Sequence, residues 1–213
     1  GATIAHGLTQ KPDFALFKNL DSTLGDNEVD WGVYHSSIGA TQRLELNQNI
    51  AAAAFPGPFN DTEPTSSLFT FGGGSQGHSY LTNGPSGDDF IGYIWHNVPG
   101  LQKFGSYEGN ESTNGPYVEL GFRPAILLVK NADEAGNDWK IYDGTRNPHN
   151  VVTQVLYPNA TSGEDANTGV DFLSNGFKWR DSGSAQNGAE TIIYAAWAEA
   201  PAFNLYGGQS NAR

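Results

Sequence analysis

Asp13-Phe14-Ala15-Leu16-Phe17-Lys18-Asn19 has a counterpart 112 residues downstream, Ala125-Ile126-Leu127-Leu128-Val129-Lys130-Asn131. A basic-proline pair precedes each, Lys11-Pro12 and Arg123-Pro124. A short apolar run closed off by Pro on one side and Asn, Asp or Gly on the other reads as a buried strand. Outward from it, a loop intervenes that is four residues shorter in the second copy. Then Asp30-Trp31-Gly32-Val33-Tyr34 aligns with Asp138-Trp139-Lys140-Ile141-Tyr142. Thr41-Gln42 and Thr153-Gln154 return to the 112-residue offset, and Ile91 to Trp95 with Pro99 faces Ile193 to Trp197 with Pro201. Four of the five Trp fall in two equivalent pairs, a coincidence that a residue this rare does not readily give by chance.

Each copy reads as β. Leu44-Glu45-Leu46 and Leu68-Phe69-Thr70-Phe71 alternate with period two, and Phe177-Lys178-Trp179-Arg180 follows the hairpin signal Asn175-Gly176. Thr191 to Ala198 is the longest apolar stretch, and its β-branched and aromatic content favours a central strand. Ala51 to Ala54 has the composition of a helical turn that Pro56 would end. The expectation is therefore all-β: two tandem antiparallel β-sandwich repeats, jelly-roll or lectin-like, over residues 1–106 and 107–213. The Gly-rich stretches 72–88 and 182–190 are expected to be exposed loops.

Composition agrees and excludes several functions. Charged residues make up 16%, below the usual quarter, and 27 Gly with abundant Asn, Ser and Thr take their place. Aromatics at 12% supply apolar surface for a core. The net charge is −12, and residues 1–106 (4 basic, 10 acidic) and 107–213 (7 basic, 13 acidic) each contribute −6. An acidic body repels phosphate, so neither nucleic acid nor an anionic membrane surface is an expected partner. Without Cys there is no disulfide, thiolate or Cys-ligated metal. No apolar run approaches the ~18 residues of a membrane span, so no membrane insertion is expected. With no Met at position 1, the sequence reads as a processed chain or a piece of a longer one.

Reactive motifs are weak. The five His form no metal-protease pattern, there is no G-x-S-x-G elbow, and Gly72 to Gly77 lacks the ending of a phosphate loop. The acidic pairs Asp88-Asp89, Asp133-Glu134 and Glu164-Asp165 lie in polar surroundings that suit solvated loops better than tuned catalytic carboxylates. No catalytic residue is assigned and no cofactor is expected, with Ca2+ the one metal the residues suggest. Asp133, Asn137 and Asp138 offer hard oxygen ligands from one loop, and Asp165, Asn167 and Asp171 form a second such group, neither with EF-hand spacing. Three Asn-x-Ser/Thr sequons, at Asn60, Asn110 and Asn159, are what this composition gives by chance. Sugars bind on aromatic faces beside Asn- and Gly-rich loops, which makes Tyr80, Asn83 and Tyr107 the candidate ligand-binding residues. The paired Trp31, Trp139, Trp95 and Trp197 read as core in preference to binding platform.

Asn97-Val98-Pro99-Gly100-Leu101-Gln102-Lys103-Phe104-Gly105-Ser106-Tyr107-Glu108-Gly109-Asn110 resembles the junction between tandem repeats in tail-fibre and virion structural proteins of tailed phages, cyanophages and other marine phages especially. Gly121-Phe122-Arg123-Pro124-Ala125, Asp171 to Lys178, Trp31 to His35 and Pro64 to Ser67 are similar to the same family, and the likeness covers nearly the whole chain. His96-Asn97 departs from the Ala-Glu expected there, which Ala198-Glu199 keeps. The resemblance implies a virion location, on the phage tail or capsid exterior. The implied role is non-enzymatic: a distal tail-fibre or spike module that binds a host-surface receptor, a glycan or a protein. The implied partners are other virion proteins, in a homotrimer. The alternative is a capsid decoration or head-fibre protein without receptor binding; depolymerase and cellular lectin readings are weaker. Residues shared by both copies are expected to be scaffold, which directs attention to 20–29, 72–88 and 143–152, where the copies differ.

Overall fold

The computed structural model describes residues 1–21, 30–73, 79–84 and 88–199. Among these the chain is all-β, with one helical turn and one 3-10 turn. Two compact units, Gly1–His96 and Asn97–Arg213, divide it.

The first unit contains β1 (Ala2–Ala5), β2 (Phe14–Asn19), β3 (Gly32–His35), β4 (Gln42–Glu45), β5 (Ala53–Ala54), β6 (Leu68–Phe71) and β7 (Phe90–Trp95). An antiparallel sheet runs β5-β4-β3-β2-β7, and β1 pairs with β6. The apolar run of β2 is buried on both faces, as its composition suggested. Ala15 and Phe17 join Tyr34, Phe59, Phe69 and Phe71 in the core, while Phe14, pointing the other way, is also buried. Ala51–Ala54 is not helical: Ala53–Ala54 is extended and pairs with β4, so sheet hydrogen bonding overrides the helix propensity of Ala.

The second unit contains β8 (Gln102–Glu108), β9 (Tyr117–Glu119), β10 (Pro124–Asn131), β11 (Lys140–Asp143), β12 (Val152–Val155), β13 (Asp165–Leu173), β14 (Gly176–Trp179) and β15 (Thr191–Ala198). These form two four-stranded antiparallel sheets, β11-β10-β15-β8 and β12-β13-β14-β9. Leu127, Val129, Tyr142 and Tyr194 from the first meet Val170, Phe172, Phe177 and Trp179 from the second in one core, which makes the unit a sandwich. Each such side chain, fully buried, stabilises the fold by about 1.5–3 kcal/mol.

The boundary falls after His96 rather than after Ser106. β8 follows β7 in sequence, yet its whole length hydrogen-bonds to β15, from Gln102 opposite Trp197 to Glu108 opposite Thr191. Lateral pairing, not chain proximity, assigns a strand to its unit. The segment 182–190 is likewise not a plain exposed loop. It holds a helical turn, α1 (Ser184–Asn187), whose Gln186 and Asn187 are fully buried. Their amides are satisfied: Gln186 Oε1 accepts from Lys140 Nζ (2.7 Å), and Asn187 Nδ2 donates to the carbonyls of Ser112 and Asp181.

Pairings recur between the units at the offsets seen in sequence. Phe14 faces His35 and Phe17 faces Gly32; Ile126 faces Asp143 and Val129 faces Lys140. Trp95 lies opposite Phe14, and Trp197 opposite Ile126. Asn47 Oδ1 accepts the Trp31 N–H (2.8 Å) while its amide donates to Asp30; Asn159 does the same for Trp139 (2.8 Å) and Asp138 (2.6 Å). Asp21 and Asp133 accept the N–H groups of Asp89 and Thr191 respectively.

Candidate functional site

The two faces of β7 carry different chemistry because strand side chains alternate. On the face away from the first unit's core, register sets Trp95 beside Phe14 and Tyr93 beside Leu16. Their rings form a ladder. Phe14 and Trp95 stack at 5.4 Å between centroids with an interplanar angle of 24°. Trp95 and Tyr93 follow at 6.2 Å and 16°, then Tyr93 and Trp31 at 6.3 Å and 26°. Tyr93 is 45% exposed, Trp31 and Trp95 are half-buried, and Phe14 is buried beneath. Three near-parallel rings, open to solvent and backed by a buried fourth, make an apolar strip one ring wide. The Asn47 clamp on the Trp31 backbone fixes one end of it.

The four paired Trp are thus not one class. Trp139 is 1% exposed, as a core reading requires, but Trp31, Trp95 and Trp197 are half-buried. The Trp at the centre of the sandwich core is Trp179, which has no Trp counterpart in the first copy.

The other face of β7 borders a cavity of about 590 Å³. Phe17, Phe69 and Phe71 form its apolar wall, Phe90, Gly92 and Ile94 its β7 side. Polar groups line the remainder: His6, Thr82, Asn83, Asp88 and Asp89. Most are already engaged. Asp88 Oδ2 accepts from Asn19 Nδ2 (2.7 Å), Thr82 Oγ1 donates to the Pro58 carbonyl, and Asn83 Nδ2 donates to the Gly72 carbonyl (2.6 Å).

The sequence-derived candidates are scattered. Asn83 lines this cavity. Tyr80 is half-buried in the 3-10 turn Ser79–Leu81, outside the lining. Tyr107 is not an exposed ring. It lies on β8 in the second unit and packs on Phe177 (5.8 Å), Tyr194 (6.3 Å) and Trp179 (6.5 Å), with its hydroxyl donated to the Gln186 carbonyl (2.6 Å). Burial pushes its phenol well above the ordinary value. The junction motif forms a strand, and strand alternation turns Tyr107 inward.

Asp133, Asn137 and Asp138 each hold a different hydrogen-bond partner. Asp133 Oδ2 accepts the Thr191 N–H (2.8 Å), Asp138 Oδ1 holds Asn159 (2.6 Å), and Asn137 bridges Glu134 (2.9 Å) and Ser184 (3.3 Å). Most of these bonds tie the loop to distant segments, at Thr191, Asn159 and Ser184. Among the described residues no group of three or more His, Asp or Glu is placed to hold a metal ion. Of the segments where the copies differ, 22–29, 74–78 and 85–87 lie outside the described residues. In 143–152, Arg146 pairs with Asp143 and with Glu164 (2.8 Å). The ladder itself, half of whose rings are shared Trp, was missed by looking only where whole segments differ. The signal was the single residue Tyr93 between them.

The fold and these sites define an all-β protein with an aromatic strip and a neighbouring cavity on one sheet edge. Over residues 1–201 the chain matches the family described as a domain of unknown function (DUF7483), and it belongs to that family. No curated protein and no solved structure matches it. Among the described residues, no helix is long and apolar enough to cross a membrane.

Proposed function

We propose that this chain is a bacteriophage virion protein, a non-enzymatic distal tail-fibre or spike module that holds a host-surface glycan on the Trp31–Tyr93–Trp95 ladder. The ladder is the observation that carries the reading. The C–H face of a sugar ring stacks on an aromatic face, and successive rings along a strip offer successive sugars equivalent seats. The acidic, turn-rich composition suits an exposed protein, and the family resemblance of the tandem motifs supports the virion location. In a homotrimeric fibre, assembled with other virion proteins, three ladders would convert weak stacking contacts into avidity.

A glycan array and a host-cell adsorption assay, run on wild type and Tyr93→Ala, test this. Tyr93 is exposed, so its removal leaves the core intact. Aromatic contacts contribute about 0.5–1.5 kcal/mol, so affinity is expected to fall roughly 2- to 13-fold. Equal binding by the variant, or no binding by wild type, refutes the assignment.

A further inference from the structure

Lys140 opens β11 as a buried cation, 8% exposed. The first unit has Gly32 at the same place in the register, so the repeat itself does not call for a lysine there. Lys140 Nζ donates to Gln186 Oε1 at 2.7 Å. Gln186, in α1, is 0% exposed, and its Nε2 donates to Asp181 Oδ2 at 2.6 Å. Only one orientation of the amide fits, because the lysine donates and the carboxylate accepts. Asp181 is itself held in place, its Oδ1 accepting the Gly183 N–H at 2.8 Å. Gly183 also makes room for the amide, since a Cβ there would stand 2.5 Å from Gln186 Nε2.

Burying a lysine against a neutral amide is costly, and apolar side chains of the same volume would serve packing better. The chemistry of the row is more specific than packing requires. Burial pushes the Lys140 amine below its ordinary value, against the pull of the Asp181, Asp138 and Asp165 carboxylates. A larger share of it is then neutral and nucleophilic. The amide carbon, Gln186 Cδ, lies about 1.2 Å behind the oxygen that the amine touches. The nitrogen on that same carbon rests on a carboxylate. Nucleophile, electrophile and proton carrier thus meet in one hydrogen-bonded row, buried from bulk water.

We propose that Lys140 and Gln186 join through an intramolecular amide bond that the chain forms by itself, with Asp181 as the proton carrier. The neutral amine attacks Cδ, and the Nζ–Cδ bond forms. Asp181 takes the proton that Nζ loses and hands it to Nε2. The Cδ–Nε2 bond breaks, the carbonyl re-forms at Oε1, and ammonia leaves. Two side chains become one amide, and the balance needs no further reactant. The bond ties β11 to the turn that leads into β15, between residues 46 positions apart. It constrains the unfolded chain as a disulfide does, in a sequence without Cys.

The test is mass spectrometry of the purified full chain, intact and after tryptic digestion. The intact mass is expected to lie one ammonia below that of the sequence. Trypsin should skip Lys140 and release Asn131–Arg146 joined to Asp181–Arg213 as one branched peptide. Lys140→Arg keeps the charge without the nucleophilic amine, so it should show the full sequence mass. Asp181→Asn should link roughly 100-fold more slowly, followed by intact mass from the end of cell-free synthesis. A wild-type chain that keeps the full sequence mass after prolonged incubation overturns the proposal. So does an ammonia loss that maps to an Asn-Gly pair such as Asn187-Gly188, with Lys140 cleaved as usual. Linking by Asp181→Asn at the wild-type rate, or an ammonia loss that persists in Lys140→Arg, also overturns it.

Discussion

Glu45 should make the first unit lose stability as pH rises through neutrality. It is 4% exposed at the end of β4, with Arg43 Nε 3.2 Å from its Oε1. Its carboxyl titrates at about 7 instead of 4.5. Burial is the largest cause; Arg43 opposes it, and the Asp30 carboxylate reinforces it by repulsion and by accepting the hydrogen bond of the protonated form. Asp30 Oδ1 also takes the amides of Asn47 and Gln48 (3.2 Å), so the acid pair sits at the foot of the Trp31 clamp. Because the folded value lies above the unfolded one, the folded state holds the extra proton between about 4.5 and 7. The stabilisation is complete below that window and is lost as pH climbs through 7. At about 1.36 kcal/mol per pKa unit, about 2.5 kcal/mol of it disappears between roughly pH 5 and 8. The second unit has Tyr157 at the corresponding position, its hydroxyl on Asp165 (3.3 Å), and does not share the effect. Urea unfolding at the two pH values, with hydrogen exchange at Gly32–His35 as a local reporter, measures it. Glu45→Gln keeps a donor for Asp30 and removes the titration, so the variant's first unit should lose this pH dependence. An unchanged slope in Glu45→Gln, or a wild-type first unit more stable at the higher pH, refutes the reasoning.

Three further outcomes follow from geometry. Asn159→Ala strands the Trp139 N–H and an oxygen of Asp138 and should cost about 1–3 kcal/mol by thermal denaturation, and Asn47→Ala should cost the first unit a similar amount. Gly176→Ala would put its Cβ 2.1 Å from the Val118 carbonyl oxygen, a backbone atom that cannot swing aside, so the β9–β14 pairing and the second unit's cooperative unfolding should be lost, as read by near-UV circular dichroism. Tyr107→Phe keeps the ring and drops only the bond to the Gln186 carbonyl, so a loss of about 1 kcal/mol is expected.

The fold class was legible because its signals are local. The buried run of β2, the alternation of β6 and the Asn175-Gly176 hairpin each state strand within a few residues, and each is a strand or the turn between two. What failed was long-range. Nothing local in Lys103-Phe104-Gly105-Ser106-Tyr107 says that its partner lies at 191–197, so a boundary between 106 and 107 cuts this strand in two and an exposed Tyr107 is the local expectation. Asp133 and Asp138 share a loop, and their partners too are long-range: their oxygens serve N–H groups brought in by β15 and by Asn159. Asn83 was found for its loop; the aromatic wall it faces comes from β2 and β6.

The contrast between Gly92-Tyr93 and Tyr194-Ala195 joins the two sites on β7. The flanking residues correspond, Ile91 with Ile193 and Trp95 with Trp197, so both pairs occupy the same two positions of equivalent strands. In the second unit the aromatic is the first of the pair and points into the core, where Tyr194 meets Tyr107 and Phe177. In the first unit it is the second of the pair and points outward between two Trp rings. Strand period two makes that displacement by one residue a complete transfer from interior to surface. One change therefore does two things: it leaves the inner position to the Phe17 ring, which lies 3.0 Å from where a Cβ on Gly92 would stand, and it completes the aromatic strip outside. The Phe17 ring over the glycine and the ladder without are consequences of the same step. Moving the ring back, as Gly92→Tyr with Tyr93→Ala, should therefore remove the ladder and force Phe17 aside, with a loss of first-unit stability in urea unfolding.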